Sequence, residues 1–316
     1  MMKLLIAYDG SASANDALDD LLRAGLPEKA KAIVFSMAEL WFPPQTDHLE
    51  PRPTWTERPV INETEALSFA QEACVRLRSL FPAWEVAAET ASGSPAPLLL
   101  EKAGEWQPDL IVVGSHGRSA LGRFLFGSVA QKVVNEADCT VRVARQRVNV
   151  PEFPVRILVG VDGSVEAFAA IELLASRVWP EETEARIVTA IGDSIEEKTR
   201  ATEIQMIAES KLRAAGLKAA SIIITGDPKQ VLLAEAEVWG ADCIYVGHAG
   251  EGRLERFLPG SVATAVVASA YCSVEVVRRK CSALSSQHSA LVSLRREYAA
   301  NIFDAHFSPS PRNALV

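Results

Sequence analysis

Two glycine clusters carry residue types at spacings that could do chemistry. Gly114 and Gly117 are followed, after nine intervening residues, by Gly127-Ser128, and the arrangement returns as Gly247, Gly250 and Gly260-Ser261. Gly114 and Gly247 each close a short apolar run. Glycine there lets backbone N–H groups approach an anion, since no Cβ blocks the way or forbids a positive φ. A Gly-Ser pair opening a helix adds unpaired N–H groups, the positive end of the helix dipole and a hydroxyl donor. The combination composes a phosphate cradle. For one copy alone, the alternative is a pair of tight turns with Ser128 and Ser261 as helix N-caps; two copies in register favour the cradle. Asp9-Gly10-Ser11 and Asp162-Gly163-Ser164 form a second repeated motif, whose aspartates could face a ligand or shape a turn.

Other reactive residue types do not form a shared constellation. His116 aligns with Ala249 and His248 with Ser115, so the halves share no histidine that could act as a common general base, and both read as loop histidines. Cys139 and Cys272 coincide, as do Trp106 and Trp239; matched core burial and helix-end packing account for them. No GxxxxGK[ST] loop, SGGxDS loop or paired acid and base recurs, so neither a catalytic nor a metal site is expected.

These motifs need elements to hold them, and an internal duplication supplies them. KLLIAYDGSASANDALDDLL from Lys3 matches RILVGVDGSVEAFAAIELLA from Arg156, and DLIVVGSHGRSALGRFLFGSVAQKVVNEADCTVRV from Asp109 matches DCIYVGHAGEGRLERFLPGSVATAVVASAYCSVEV from Asp242. Half one is the longer by an aperiodic stretch at 41–59, read as a surface loop. Its patterns predict strands over 31–37, 84–90, 110–113 and 140–144 besides the N-terminal run, and helices over 61–80, 97–106 and 128–136 besides the one after Asp9. Half two follows suit. Alternating strands and helices argue for βαβ crossovers: an α/β protein of two tandem, open, five-stranded, mainly parallel sheets with helices on both faces. The expected divisions are 1–146, a linker at 147–153, a second domain at 154–279, and a tail at 280–316 with a helical stripe of leucines and then disorder. The two fifth strands are expected to pack together as an intramolecular pseudo-dimer.

The glycine signature after strand four, with Asp-Gly-Ser after strand one, resembles the nucleotide-binding class of universal stress proteins, here as a tandem member with a Rossmann-like (HUP-like) fold. The resemblance implies ATP as ligand, with or without Mg or Mn. It places Asp9 and Asp162 near the adenosine and strand-two backbone at Met37 and Ile191 against adenine. Phosphate and ribose would meet Gly114, Gly117, Gly127, Ser128 and Val129 in half one, and Gly247, Gly250, Gly260, Ser261 and Val262 in half two. In half two Glu251 stands where half one has Arg118, and Pro259 precedes Gly260; both make site two the weaker expectation.

Composition bounds the function. The 316 residues carry a net charge of −8 with 48% hydrophobic content, a folded chain of the wrong sign for nucleic-acid binding. The N-terminal apolar run is too short for a signal sequence and no stretch reaches a membrane span; five cysteines without a CxxC fit a reducing cytoplasm. The expectation is a non-enzymatic, ATP-binding, stress-response regulator in which occupancy sets conformation or the choice of a protein partner, with a homodimer open. Two alternatives stand beside it: an interaction scaffold with lost or single-site binding, and a slow ATPase or adenylyl-transfer enzyme.

Overall fold

A computed structural model describes residues 1–38, 62–116, 127–145, 154–249 and 260–279. The 41–59 stretch, the 147–153 linker, the 280–316 tail, and Gly117, Arg118, Gly250, Glu251 and Pro259 lie outside the described residues.

Half one runs β1 (Met2–Ala7), α1 (Ala12–Asp20), β2 (Ala30–Ala38), α2 (Glu63–Leu80), β3 (Glu85–Ser92), α3 (Pro95–Trp106), β4 (Leu110–Gly114), α4 (Ser128–Glu136) and β5 (Thr140–Ala144). Half two repeats it as β6 (Arg156–Gly160), α5 (Val165–Ser176), β7 (Glu184–Ile191), α6 (Ile195–Ala214), β8 (Lys218–Thr225), α7 (Pro228–Trp239), β9 (Cys243–Gly247), α8 (Ser261–Ser269) and β10 (Ser273–Val277). The strands form one ten-stranded sheet in the order β3-β2-β1-β4-β5-β10-β9-β6-β7-β8. Pairing is parallel within each half. At the centre β5 and β10 pair antiparallel, with Arg142 opposite Glu275. Each five-stranded half therefore keeps the expected architecture, and the fifth strands join the two.

Strand periodicity sorts the core into layers. Leu5 faces one side with Ile33, Val113 and Val143, and that layer continues through Val274 and Val246 to Leu158 under α3, α4, α7 and α8. Leu4 and Ile6 face the other side, under α1 and α2. Burial on both faces explains why β4 and β9 read as unbroken apolar runs. Trp106 and Trp239 end α3 and α7 as expected, each under a cation from the first strand of its half: Lys3 Nζ lies 5.4 Å from the Trp106 ring and the Arg156 guanidinium 5.8 Å from the Trp239 ring. Cys139 and Cys272 are buried. Among the described residues, no helix is long and apolar enough to cross a membrane.

The antiparallel seam carries a buried ionic cluster. Arg142 Nη1 donates to Glu275 Oε2 (2.9 Å) and to Tyr245 Oη (3.2 Å), while its Nε donates to Asp20 Oδ2 (2.5 Å). Arg177 supplies a second guanidinium to Glu275 and also donates to Tyr245 Oη (2.9 Å). Arg142 and Glu275 are 1% and 0% exposed. Two cations and two carboxylates balance, as burial of charge requires; despite desolvation, Asp20 and the other partners hold the Arg142 guanidinium well above its ordinary pKa.

Candidate functional site

In each half the strand order places the topological switch between the first and fourth strands (β1 and β4; β6 and β9), where the crossovers leave in opposite directions and open α/β sheets bind ligands. The Asp-Gly-Ser motifs close one side of this crevice. Asp9 Oδ1 accepts from Ser11 N (3.0 Å), Gly10 has φ +74, and Ser11 Oγ caps α1 by accepting from Ala14 N (3.1 Å). Half two repeats this: Asp162 Oδ1 accepts from Ser164 N (2.9 Å), Gly163 has φ +86, and Ser164 Oγ accepts from Ala167 N (3.1 Å). Both aspartates thus shape the turn, the second of the two roles open to them, and Asp162 also lines a cleft.

Gly114 and Gly247 need a different explanation from the one their position invites. Neither has a positive φ. A Cβ on Gly114 would lie 2.7 Å from Ser13 Oγ and 3.0 Å from the Ser13 carbonyl oxygen; one on Gly247 would lie 2.7 Å from the Glu166 carbonyl carbon and 2.9 Å from Ala167 N. Their immediate duty is to let the first turn of α1 or α5 sit directly over the strand end.

The helix starts are built alike. Gly127 and Gly260 are the N-caps of α4 and α8, at φ −67 and −60 without a side-chain cap. Ser128 and Ser261 are therefore the first helical residues, not the caps. Gly127 N donates to Ser115 O (2.9 Å), and Ser115 N to Ala144 O (3.0 Å); in half two Gly260 N donates to His248 O (2.6 Å), and His248 N to Val277 O (2.9 Å). Each helix N-terminus, whose first N–H groups have no partner within the helix, is thereby fixed against its strand ends.

Half two holds a cleft of about 250 Å³ at this point. Of the anticipated residues Asp162, Gly247, Gly260, Ser261 and Val262 line it, with an apolar wall that includes Val161, Val188, Ala190 and Leu232. Ile191 does not line it. Gly226 N bonds Ile191 O as Gly93 N bonds Ala38 O, so Ile191 corresponds to Ala38 and the counterpart of Met37 is Ala190. Met37 and Ile191 are therefore not equivalent positions of the repeat but one residue apart in register. In half one Asp9, Met37, Gly114, Gly127, Ser128 and Val129 occupy the corresponding positions, but Tyr8, Phe35 and Met37, all buried, stand where half two has Val161, Val188 and Ala190. Side chains at these three positions are smaller in half two, opposite in sense to the ranking expected from Arg118 and Glu251.

Both loop histidines are shifted toward the neutral form. His248 is 4% exposed, and burial with the nearby Arg278 charge lowers its pKa to about 4. Burial and Arg145 lower that of His116. Neither Arg145 nor Arg278 stood out in the sequence; their common place after the fifth strand was the available signal. Among the described residues, no cluster of three or more His, Cys, Asp or Glu side chains could hold a metal ion.

Comparison with known proteins agrees with this fold. The model of the Universal stress protein family matches twice, over residues 1–145 and 155–278. The chain belongs to that family. A universal stress protein of Mycobacterium tuberculosis is 25% identical over 297 residues, covering 87% of this chain and 97% of the relative. One from Thermus aquaticus is 32% identical over 144 residues, 45% of this chain and 97% of its own. Among solved structures, a universal stress protein from Archaeoglobus fulgidus superposes with a TM-score of 0.64 at 21% identity, covering 88% of this chain and 98% of that one. A putative universal stress protein from Pseudomonas aeruginosa gives 0.58 at 14%, covering 95% and 98%. These structures share the fold.

Proposed function

We propose that this universal stress protein binds ATP, alone or with Mg or Mn, at the carboxyl edge of each half, and that occupancy sets its conformation or its choice of protein partner in the cytoplasm. The observation that carries the reading is the repeated pairing of a helix N-terminus with the switch point of a parallel sheet, each with a glycine N-cap. In half two it adjoins a cleft whose lining includes an apolar wall that would face adenine, Asp162 that would lie near the adenosine, and Gly260, Ser261 and Val262 that would meet phosphate and ribose. Gly247 positions the helix beside it. Unpaired N–H groups and the helix dipole favour an anion there without a metal built into the protein. The two loops share no equivalent histidine, which speaks for a binder over a catalyst.

Calorimetric titration of the full chain with ATP tests this, together with chromatography of nucleotide released on heat denaturation. Binding that disappears in a Gly127→Asp, Gly260→Asp double variant supports it. Aspartate is a good N-cap, so such a variant keeps the helices while placing a carboxylate where phosphate would sit. Unchanged binding would reject the site. Tyr8, Phe35 and Met37 favour one further reading, in which half two alone binds and half one serves as scaffold; a stoichiometry of one then replaces two.

A further inference from the structure

Just after the central strands, two arginines each reach across the seam to the far end of a phosphate-site helix. Arg145 follows β5 and is hydrogen-bonded through its backbone N to Ser273 Oγ (3.1 Å). Its guanidinium donates to the Val267 carbonyl near the end of α8 and to Cys272 O (3.3 Å). Arg278 follows β10, with its backbone N on Thr140 Oγ1 (3.3 Å), and donates to Val134 O (3.4 Å) and Asn135 O (2.7 Å) near the end of α4. Val134 and Val267 are counterparts in the repeat, as are Arg145 and Arg278. Each arginine therefore neutralises last-turn carbonyls that a helix leaves unpaired, at the negative end of its dipole.

Each arginine is also joined to the site of its own half. Ala144 O, one residue before Arg145, accepts from Ser115 N, and Ser115 O accepts from the N-cap Gly127 of α4; Val277, His248 and Gly260 repeat the chain before Arg278. The hydrogen bonds close into a ring: the α4 start, the β4 end, Arg145, the α8 end, then the α8 start, the β9 end, Arg278 and the α4 end. We propose that Arg145 and Arg278 are positioning residues acting in trans, each setting the phosphate-binding helix of the opposite half and so coupling the two sites. The inference rests on the ATP reading above for its functional sense, while the ring itself is independent of any ligand.

The test uses the full chain with one site closed. In Gly127→Asp, which leaves site two, Arg145→Ala should weaken ATP at least about 5-fold, in the range of ordinary coupling energies, and Arg278→Ala should change it little. In Gly260→Asp, which leaves site one, the effects should exchange. Arg145→Lys should recover part of the loss by restoring the charge and one donor. Hydrogen exchange without nucleotide gives a second readout: Arg145→Ala should speed exchange in α8 more than in α4, and Arg278→Ala the reverse. If neither parent binds ATP, the proposed function fails, and exchange still decides the positioning role. Effects confined to the arginine's own half, equal in both halves or absent would overturn the trans coupling.

Discussion

Gly247 and His248 adjoin one another, and each has a measurable energetic signature. Gly247→Ala must push a methyl against the backbone of Glu166 and Ala167, which cannot yield as a flexible side chain would. We expect a loss of about 1–3 kcal/mol in urea unfolding, typical of overpacking, with or without nucleotide. A wild-type midpoint would show that α5 is not seated on this strand end. His248 is held neutral, its folded pKa of about 4 lying below the ordinary 6.5. The unfolded chain then binds the proton more readily, so this group's contribution is complete above pH 6.5 and is lost as pH falls toward 4. The loss is on the order of 3 kcal/mol. Replacing His248 with Phe should flatten stability in that window relative to wild type; parallel pH profiles would count against burial as the cause. Sequence position alone made Gly247 a ligand-facing glycine. The neighbour that requires glycine comes from another element, and periodicity carries no information about that contact.

At the scale of elements the order of strands and helices was legible throughout, because both periods were clean and the repeat supplied an internal check. Helix α4 and strand β5 fall where the pattern put them, and the other elements of half one shift by up to two residues at their ends. Caps were less legible. In Gly-Ser either residue can cap, and the structure gives that place to glycine. Ser261→Ala should consequently leave stability within about 0.5 kcal/mol of wild type while weakening ATP through loss of a hydroxyl donor. A drop of about 1 kcal/mol with unchanged affinity would return the serine to a purely structural cap. The strand-two pair slipped by one although the insertion lies beyond Met37 and the 153-residue offset of the first block carries Met37 to Ala190, which is on the cleft, and not to Ile191, which is not.

Across the whole molecule, the decisive polar groups meet only through the pairing of the halves. Arg142 and Glu275 are the same position of the repeat with opposite charge, brought face to face at the seam. Alternation marked both merely as strand residues, and a salt bridge between them becomes visible only in register. Removing one partner strands a buried charge, so Arg142→Leu or Glu275→Leu should each cost about 3–5 kcal/mol. The double variant, in which Asp20 and Arg177 each lose one partner, should still cost less than their sum; strict additivity in denaturant unfolding would mean that the two side chains do not interact. Identical halves would instead confront arginine with arginine or glutamate with glutamate. Because β5 and β10 belong to one polypeptide, their association escapes mass action: no dilution can dissociate it, and the melting temperature should stay constant over a hundredfold range of protein concentration, unlike that of a two-chain assembly. A melting temperature that rises with concentration would show that further copies contribute to stability. A protein built this way keeps both candidate sites in fixed one-to-one stoichiometry at any cellular abundance.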